Sequence, residues 1–135
     1  MQQGKNNTIL YVDDDLDDLQ LLNDAIKKID HNYIIEEAHD GVEAMDMLEK
    51  MKHNGKLPCL IILDINMPKM DGKQTLVAIQ NDEILSSIPV VIFSTSSSVL
   101  DKVFFEKKHV AFITKPVDFH HFVKVASDLL SYCKT

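Results

Sequence analysis

The sequence predicts an α/β domain built on one parallel sheet covered by helices on both faces. Three observations carry that prediction. First, Ile9–Val12, Leu60–Leu63, Val90–Phe93 and Ala111–Thr114 are short apolar runs without polar alternation, the habit of strands buried on both sides. Second, the segments between them carry apolar residues at helical spacing. Third, a polar residue stands where each run stops: Asp13 and Asp14, Asp64, Ser94 and Lys115. In open parallel sheets ligands bind beyond the carboxyl ends of the strands, so groups far apart in sequence converge there.

Each element follows from its residues. After the first strand, Asp15 to Ile29 carries Leu19, Leu22, Ile26 and Ile29 at helical spacing, with Asp15, Asp17 and Asp18 suited to the positive dipole end. Tyr33 to Ala38 is the second strand. Val42, Met45, Leu48 and Met51 mark a helix that stops near His53-Asn54-Gly55. Leu60–Leu63 leads into the loop Asn66 to Gly72 and a helix with Leu76 and Ile79. After Val90–Phe93, Ser96-Ser97-Ser98 can cap a helix carrying Val99, Val103 and Phe104 or Phe105. Ala111–Thr114 is the fifth strand. The last helix, Asp118 to Tyr132, buries Phe119, Phe122, Val123, Ala126, Leu129 and Leu130.

At 135 residues the chain is one domain of ordinary size. A formal charge of −7 with no dense Lys/Arg run argues against nucleic acid as a partner. No apolar stretch approaches a membrane span, and Met1–Asn7, expected to be a disordered tail, lacks the apolar centre of a signal peptide. These features predict a cytoplasmic protein without membrane contact. Cys59 and Cys133 lack metal-type or redox spacing, and Cys59 reads as a small buried hydrophobe, so neither a disulfide nor a metal role is expected. The six histidines are scattered, and the adjacent His120 and His121 point about 100° apart on a helix.

Three carboxylates gathered from two strand ends repel unless a cation sits among them, and oxygen donors with room for water suit Mg²⁺. A carboxylate beside that cation is a competent nucleophile toward phosphorus, and Asp64 stands before a sharp loop. Lys115 would place positive charge on a transferred phosphoryl group, and Ser94 would donate a hydrogen bond to it.

Val12-Asp13-Asp14, then Asp64-Ile65-Asn66-Met67-Pro68-Lys69-Met70-Asp71-Gly72, then Pro89 to Ser94, then Lys115-Pro116, closely resemble a response regulator receiver domain over Thr8 to about Tyr132. Ile113 to Phe119 and the Ser/Thr run after Phe93 resemble the small stand-alone regulators associated with phytochromes. The resemblance implies a flavodoxin-like sheet of order 2-1-3-4-5 and a receiver domain over residues 8–135. It implies Asp64 as phosphoacceptor, and Mg²⁺ held by Asp13, Asp14, Asp64 and the backbone carbonyl of Asn66. It further implies Lys115 as the phosphate-contacting lysine on a cis bond to Pro116, Ser94 as the switch hydroxyl and Phe112 as the aromatic that turns inward.

The partners implied are a sensor histidine kinase or histidine phosphotransfer protein as donor and a downstream protein as target. A homodimer through the fourth helix, fifth strand and fifth helix is a further expectation, for which Val125, Tyr132 and one of Phe104 and Phe105 are surplus apolar residues. The chain would be a switch and not an enzyme with a separate substrate. Thr95 stands where a small Ala is common, Phe112 lacks a tyrosine hydroxyl, and Lys107-Lys108-His109 replaces a frequent Gly-Ala pair. Two rival readings remain to be compared with the residues. A phosphatase of the haloacid dehalogenase class would need D-x-D-x-T/V, which neither Asp13-Asp14-Asp15-Leu16-Asp17 nor Asp64-Ile65-Asn66 supplies. A receiver-like scaffold working without phosphorylation would be expected to have lost an acceptor, acid or lysine, and all are present.

Overall fold

The structure is a computed structural model and describes residues 6–133. Strand β1 (Thr8–Val12) leads through helix α1 (Leu16–Ile29) to β2 (Ile34–Ala38), then through α2 (Gly41–His53) to β3 (Leu60–Leu63). Helix α3 (Gly72–Gln80) and a 3₁₀ turn (Leu85–Ser87) precede β4 (Val90–Ser94); α4 (Val99–Lys107), β5 (Ala111–Thr114) and α5 (Phe119–Leu130) complete the chain. All pairings are parallel and the strand order is 2-1-3-4-5. The chain goes from β1 to β2 on one side and crosses back to β3 on the other. That reversal puts the switch point between β1 and β3.

Successive side chains on a strand point to opposite faces, so each central strand feeds two cores. Ile9, Tyr11, Leu60, Ile62 and Phe93 face α1 and α5, whose Leu22, Ile26, Phe122 and Ala126 are buried against them. Leu10, Val12, Ile61, Leu63 and Ile92 face the opposite layer, meeting Leu48 of α2, Leu76 and Ile79 of α3 and Phe105 of α4. Each fully buried aliphatic or Phe side chain contributes about 1.5–3 kcal/mol of transfer free energy. The helix starts follow their side chains: Asp15, Asp40, Asp71, Ser98 and Asp118 all cap with a side-chain oxygen, and Asp71 forms a capping box with Gln74.

Several expectations are corrected. Burial on both faces holds for β1, β3 and β4 but not for the edge strand β5, where Ala111 to Ile113 are half-buried; the other edge strand, β2, exposes Ile34. Val42, Val99 and Val103 are exposed; α2 buries Ala44 and Leu48, and of the paired aromatics Phe105 is buried while Phe104 is half-buried. Asn6 and Asn7 are tied down, Asn6 Nδ2 donating to Leu57 O at 2.8 Å and Ile34 N to Asn7 O at 3.0 Å, because β1 continues to pair at its start. The rest of the expected tail, Met1 to Lys5, lies outside the described residues. Cys59 and Cys133 form a disulfide with Cα atoms 4.8 Å apart; α5 carries the chain back to the amino end of β3, a juxtaposition that spacing in sequence does not reveal. The Lys115–Pro116 bond is trans, like every peptide bond among the described residues. Trans is the cheaper isomer by about 0.5–1 kcal/mol even before proline, and the lysine reaches its partners from it. No described helix is long and apolar enough to cross a membrane.

Candidate functional site

Register brings the acids together. Val12 stands opposite Leu63 in the β1–β3 pair, so the next residues, Asp13 and Asp64, leave the sheet side by side. Carboxylate oxygens of Asp13, Asp14 and Asp64 lie within 4.8 Å of one another. Asp13 is wholly buried and Asp64 nearly so, while Asp14 is exposed. Across β4, Ser94 pairs with Thr114 of β5, which sends Lys115 inward over the same edge.

Lys115 is the hub. Its Nζ donates to Asp13 Oδ2 at 2.6 Å, Asp18 Oδ2 at 2.8 Å and Asp64 Oδ2 at 3.1 Å, using all three ammonium protons. Burial disfavours its charge, but the hydrogen bonds to Asp13 and Asp18 and the Asp64 charge outweigh that and hold its pKa above the ordinary lysine value. Asp13 is pushed up by burial, against the opposing pull of Lys115 and the Asp15 N–H. It also accepts from the Tyr11 hydroxyl at 2.7 Å and from Asp15 N at 2.9 Å. Burial first, then the Asp13 charge, drives the Tyr11 pKa far above its usual value, so the phenol remains a donor.

Asp64 Oδ1 accepts from Ile65 N at 2.8 Å, which leaves its other oxygen to Lys115. The following loop is folded tightly beneath it. Gly72 N donates to Ile65 O at 2.7 Å, and a Cβ on Gly72 would fall 2.2 Å from Asp64 O. Gly41 N holds the same loop through Met70 O at 3.0 Å. Asn66 sits exposed in this loop.

Ser94 is buried, and its Oγ accepts from Ser96 N at 3.2 Å. Ser96 Oγ donates to Asp101 Oδ2 at 2.6 Å, and Asp101 Oδ1 meets Lys73 Nζ of α3 at 2.7 Å. Lys73, then Ser96, lowers the Asp101 pKa. Thr95 is exposed. Phe112, on the outer strand, is half-buried against Phe105 with ring centres 6.1 Å apart, and Lys102 Nζ stands 5.9 Å from its centroid.

Asp13, Asp14, Asp64 and Lys115 thus form one cluster, with Ser94 on the adjacent strand end and Phe112 apart from it on the edge. Sequence reasoning missed Tyr11 and Asp18 as members. Tyr11 is two residues before Asp13 and so shares its side of β1. Asp18 heads the i, i+4 row of Leu22 and Ile26, the buried row of α1, which turns its carboxylate toward the sheet. Among the described residues, the Asp13–Asp14–Asp64 group is the one arrangement of His, Cys, Asp and Glu that could hold a metal ion. Its all-oxygen donor set and a single ammonium among four carboxylates fit a hard divalent cation.

Residues 9–127 match the family model described as "Response regulator receiver domain". Response regulator Rcp1 of Synechocystis sp. is 34% identical over 129 residues, covering 92% of this chain and 86% of that protein. The probable methanogenesis regulatory protein FilR2 of Methanothrix harundinacea is 32% identical, covering 92% and 81%. The crystal structure of the phosphorylated cyanobacterial phytochrome response regulator RcpA superposes with a TM-score of 0.87 at 30% identity, over 96% of this chain and 94% of that one. The Mn²⁺-bound form of Rcp1 gives 0.83 at 30% identity, over 96% of each. With acids at the ends of β1 and β3, a hydroxyl after β4 and a lysine after β5, all on a sheet of order 2-1-3-4-5, the chain belongs to the response regulator receiver domains of two-component signalling.

Proposed function

We propose that the chain is a Mg²⁺-dependent phosphorylation switch that accepts a phosphoryl group on Asp64 from the phosphohistidine of a sensor histidine kinase or histidine phosphotransfer protein. The observation that carries this reading is the near-buried Asp64 carboxylate held 3.1 Å from the Lys115 ammonium beside the Asp13 and Asp14 carboxylates. The likeness to a phosphorylated and to a Mn²⁺-bound regulator supports it. Asp13, Asp14 and Asp64, with the main-chain carbonyl of Asn66, would hold the cation, which when bound supplies charge neutralisation between the carboxylates and the incoming phosphoryl oxygens.

An Asp64 oxygen forms the new O–P bond as the P–N bond to the donor imidazole breaks, and the departing ring nitrogen recovers a proton from water. Lys115 turns one N–H from Asp64 to a phosphoryl oxygen while Asp13 keeps it in place and Asp18 competes for it. Ser94 gives up the Ser96 N–H to donate its own hydroxyl proton to the phosphoryl group. That releases the loop that Ser96 ties to Asp101 and Lys73, and it opens space for Phe112 to turn inward. The altered surface is α4, β5 and α5, where Val99, Leu100 and Val103 are exposed; a downstream protein, or a second copy of the chain, would read it. Protein contact is thereby the output, and the turnover concerns the chain's own phosphoryl group.

The test is intact mass and size-exclusion elution of wild type and Asp64→Asn after acetyl phosphate or beryllofluoride, with and without Mg²⁺. A single phosphoryl adduct that requires Mg²⁺ and disappears in Asp64→Asn is expected. Absence of adduct and of any elution shift in wild type would overturn the reading.

A further inference from the structure

The disulfide lies at the end of the sheet opposite Asp64 and plays no part in the chemistry above. Cys59 immediately precedes β3, is 2% exposed and donates its N–H to Thr8 O at 2.8 Å. Cys133 lies just past α5 and is half-buried, its N–H donating to Leu130 O at 3.0 Å. Its sulfur stands 3.7 Å from Asn6 O, and Asn6 in turn binds Leu57 O. Three separate stretches of chain therefore meet at this bridge: the start of β1, the start of β3 and the end of α5. The chain has two cysteines, so one intramolecular pairing exists.

The two cysteines differ in exposure. Cys59 is closed in by the sheet, whereas Cys133 is half-buried on the turn that follows α5. Access for an outside thiolate to one end of a bridge is part of what separates labile disulfides from inert ones. The 4.8 Å Cα separation lies within the normal range for a disulfide, so closing the pair needs no large backbone movement.

We propose that Cys59 and Cys133 are a reversible dithiol–disulfide site that fastens the end of α5 to the amino edge of the sheet, with Cys133 as the reacting thiol and Cys59 as the resolving one. The oxidant is a small disulfide such as oxidised glutathione. The Cys133 thiolate attacks one of its sulfurs, forming a mixed disulfide and releasing one glutathione thiolate. The Cys59 thiolate then attacks Cys133 Sγ, closing the protein bridge and releasing the second. Two protons leave the protein thiols and two electrons pass to the small disulfide. Reduction runs the same steps backward, with glutathione entering at Cys133.

The bridge spans 74 residues of chain, and closing a loop of that length restricts the unfolded state enough to raise the melting temperature by on the order of 10 °C. Cys59 and Asp64 are five residues apart along an extended strand, roughly 17 Å, so phosphoryl transfer is untouched by the redox state.

The test equilibrates wild type, Cys59→Ser and Cys133→Ser in graded mixtures of reduced and oxidised glutathione, blocks free thiols, and reads intact mass and melting temperature. Wild type is expected to lose two hydrogens without retaining glutathione, reversibly across the series, and to melt on the order of 10 °C higher when oxidised. Cys59→Ser is expected to stop with one glutathione on Cys133, and Cys133→Ser to remain unmodified. Cys133→Ser alters only a half-buried terminal position, so its result stands even if Cys59→Ser folds poorly. Glutathione retained on wild type, ready modification of Cys59 in Cys133→Ser, a bridge that no mixture reduces, or equal melting temperatures would each overturn the proposal. Acetyl phosphate uptake measured on both redox forms reports separately on Asp64.

Discussion

At the scale of single residues, Lys115 balances three carboxylates, and in the proposed switch that balance sets how strongly it would serve a phosphoryl group. Asp18 Oδ2 accepts one of its N–H groups at 2.8 Å from a partly exposed position. In Asp18→Asn the ammonium is freer to bind at Asp64. A shift of about 1 kcal/mol corresponds to roughly fivefold, so acetyl phosphate labelling, followed by intact mass against time, is expected to run severalfold faster. Lys115→Ala is the contrasting variant, in which phosphorylation-dependent switching is expected to be lost. Tyr11 plays a different part. Its hydroxyl is a donor to buried Asp13, and Tyr11→Phe leaves that oxygen with one partner fewer. Urea denaturation without metal is expected to show a loss of about 1–3 kcal/mol.

At the scale of elements, the loop from β3 to α3 is held by close packing as much as by hydrogen bonds. The Gly72→Ala methyl would meet the Asp64 backbone, and because backbone cannot swing aside, overpacking of about 1–3 kcal/mol is expected. Labelling of Asp64 should fall more than stability does, a difference seen by comparing thermal midpoints with labelling rates. The tie between α2 and the 3₁₀ turn is electrostatic: Lys52 Nζ meets Asp82 Oδ2 at 2.8 Å. Lys52, then the Leu85 and Ile84 N–H groups, holds the Asp82 pKa at about 2 against an ordinary 3.8. A depressed carboxylate stabilises the fold above its unfolded value, and that contribution is lost as pH falls from near 3.8 through about 2. Thermal midpoints of wild type and Asp82→Asn should therefore differ near neutrality and converge toward pH 2.

Across the whole molecule, stability is unevenly spread. Helix α5 buries four residues, Phe122, Ala126, Leu129 and Leu130, whereas α4 buries Phe105 alone. Native-state hydrogen exchange is expected to be fastest, among the helices, in α4 and slower in α5, because local opening of α4 exposes less apolar surface. Beryllofluoride should change protection in α4 and β5 most if the Ser94–Ser96–Asp101 chain couples the site to that layer. Equal protection of α4 and α5 would count against this division.

What the sequence determined by itself is local. Unbroken apolar runs specified the central strands, helical spacing the buried faces of α1 and α5, and Ser98 within Ser96-Ser97-Ser98 the start of α4, since each depends on neighbours within a turn or a strand. The order of Asp13, Asp14, Asp64, Ser94 and Lys115 along the chain was enough to anticipate one cluster, because parallel strands end on a common edge. Tertiary structure alone decided how far the edge strands and their helices are covered, and so why Val99 and Val103 stay exposed and β5 is half-buried. It also decided that Asp18 joins Lys115 and that Cys59 meets Cys133. Those contacts join residues whose separation in sequence carries no distance; only packing α1 and α5 against the same face of the sheet brings them within reach.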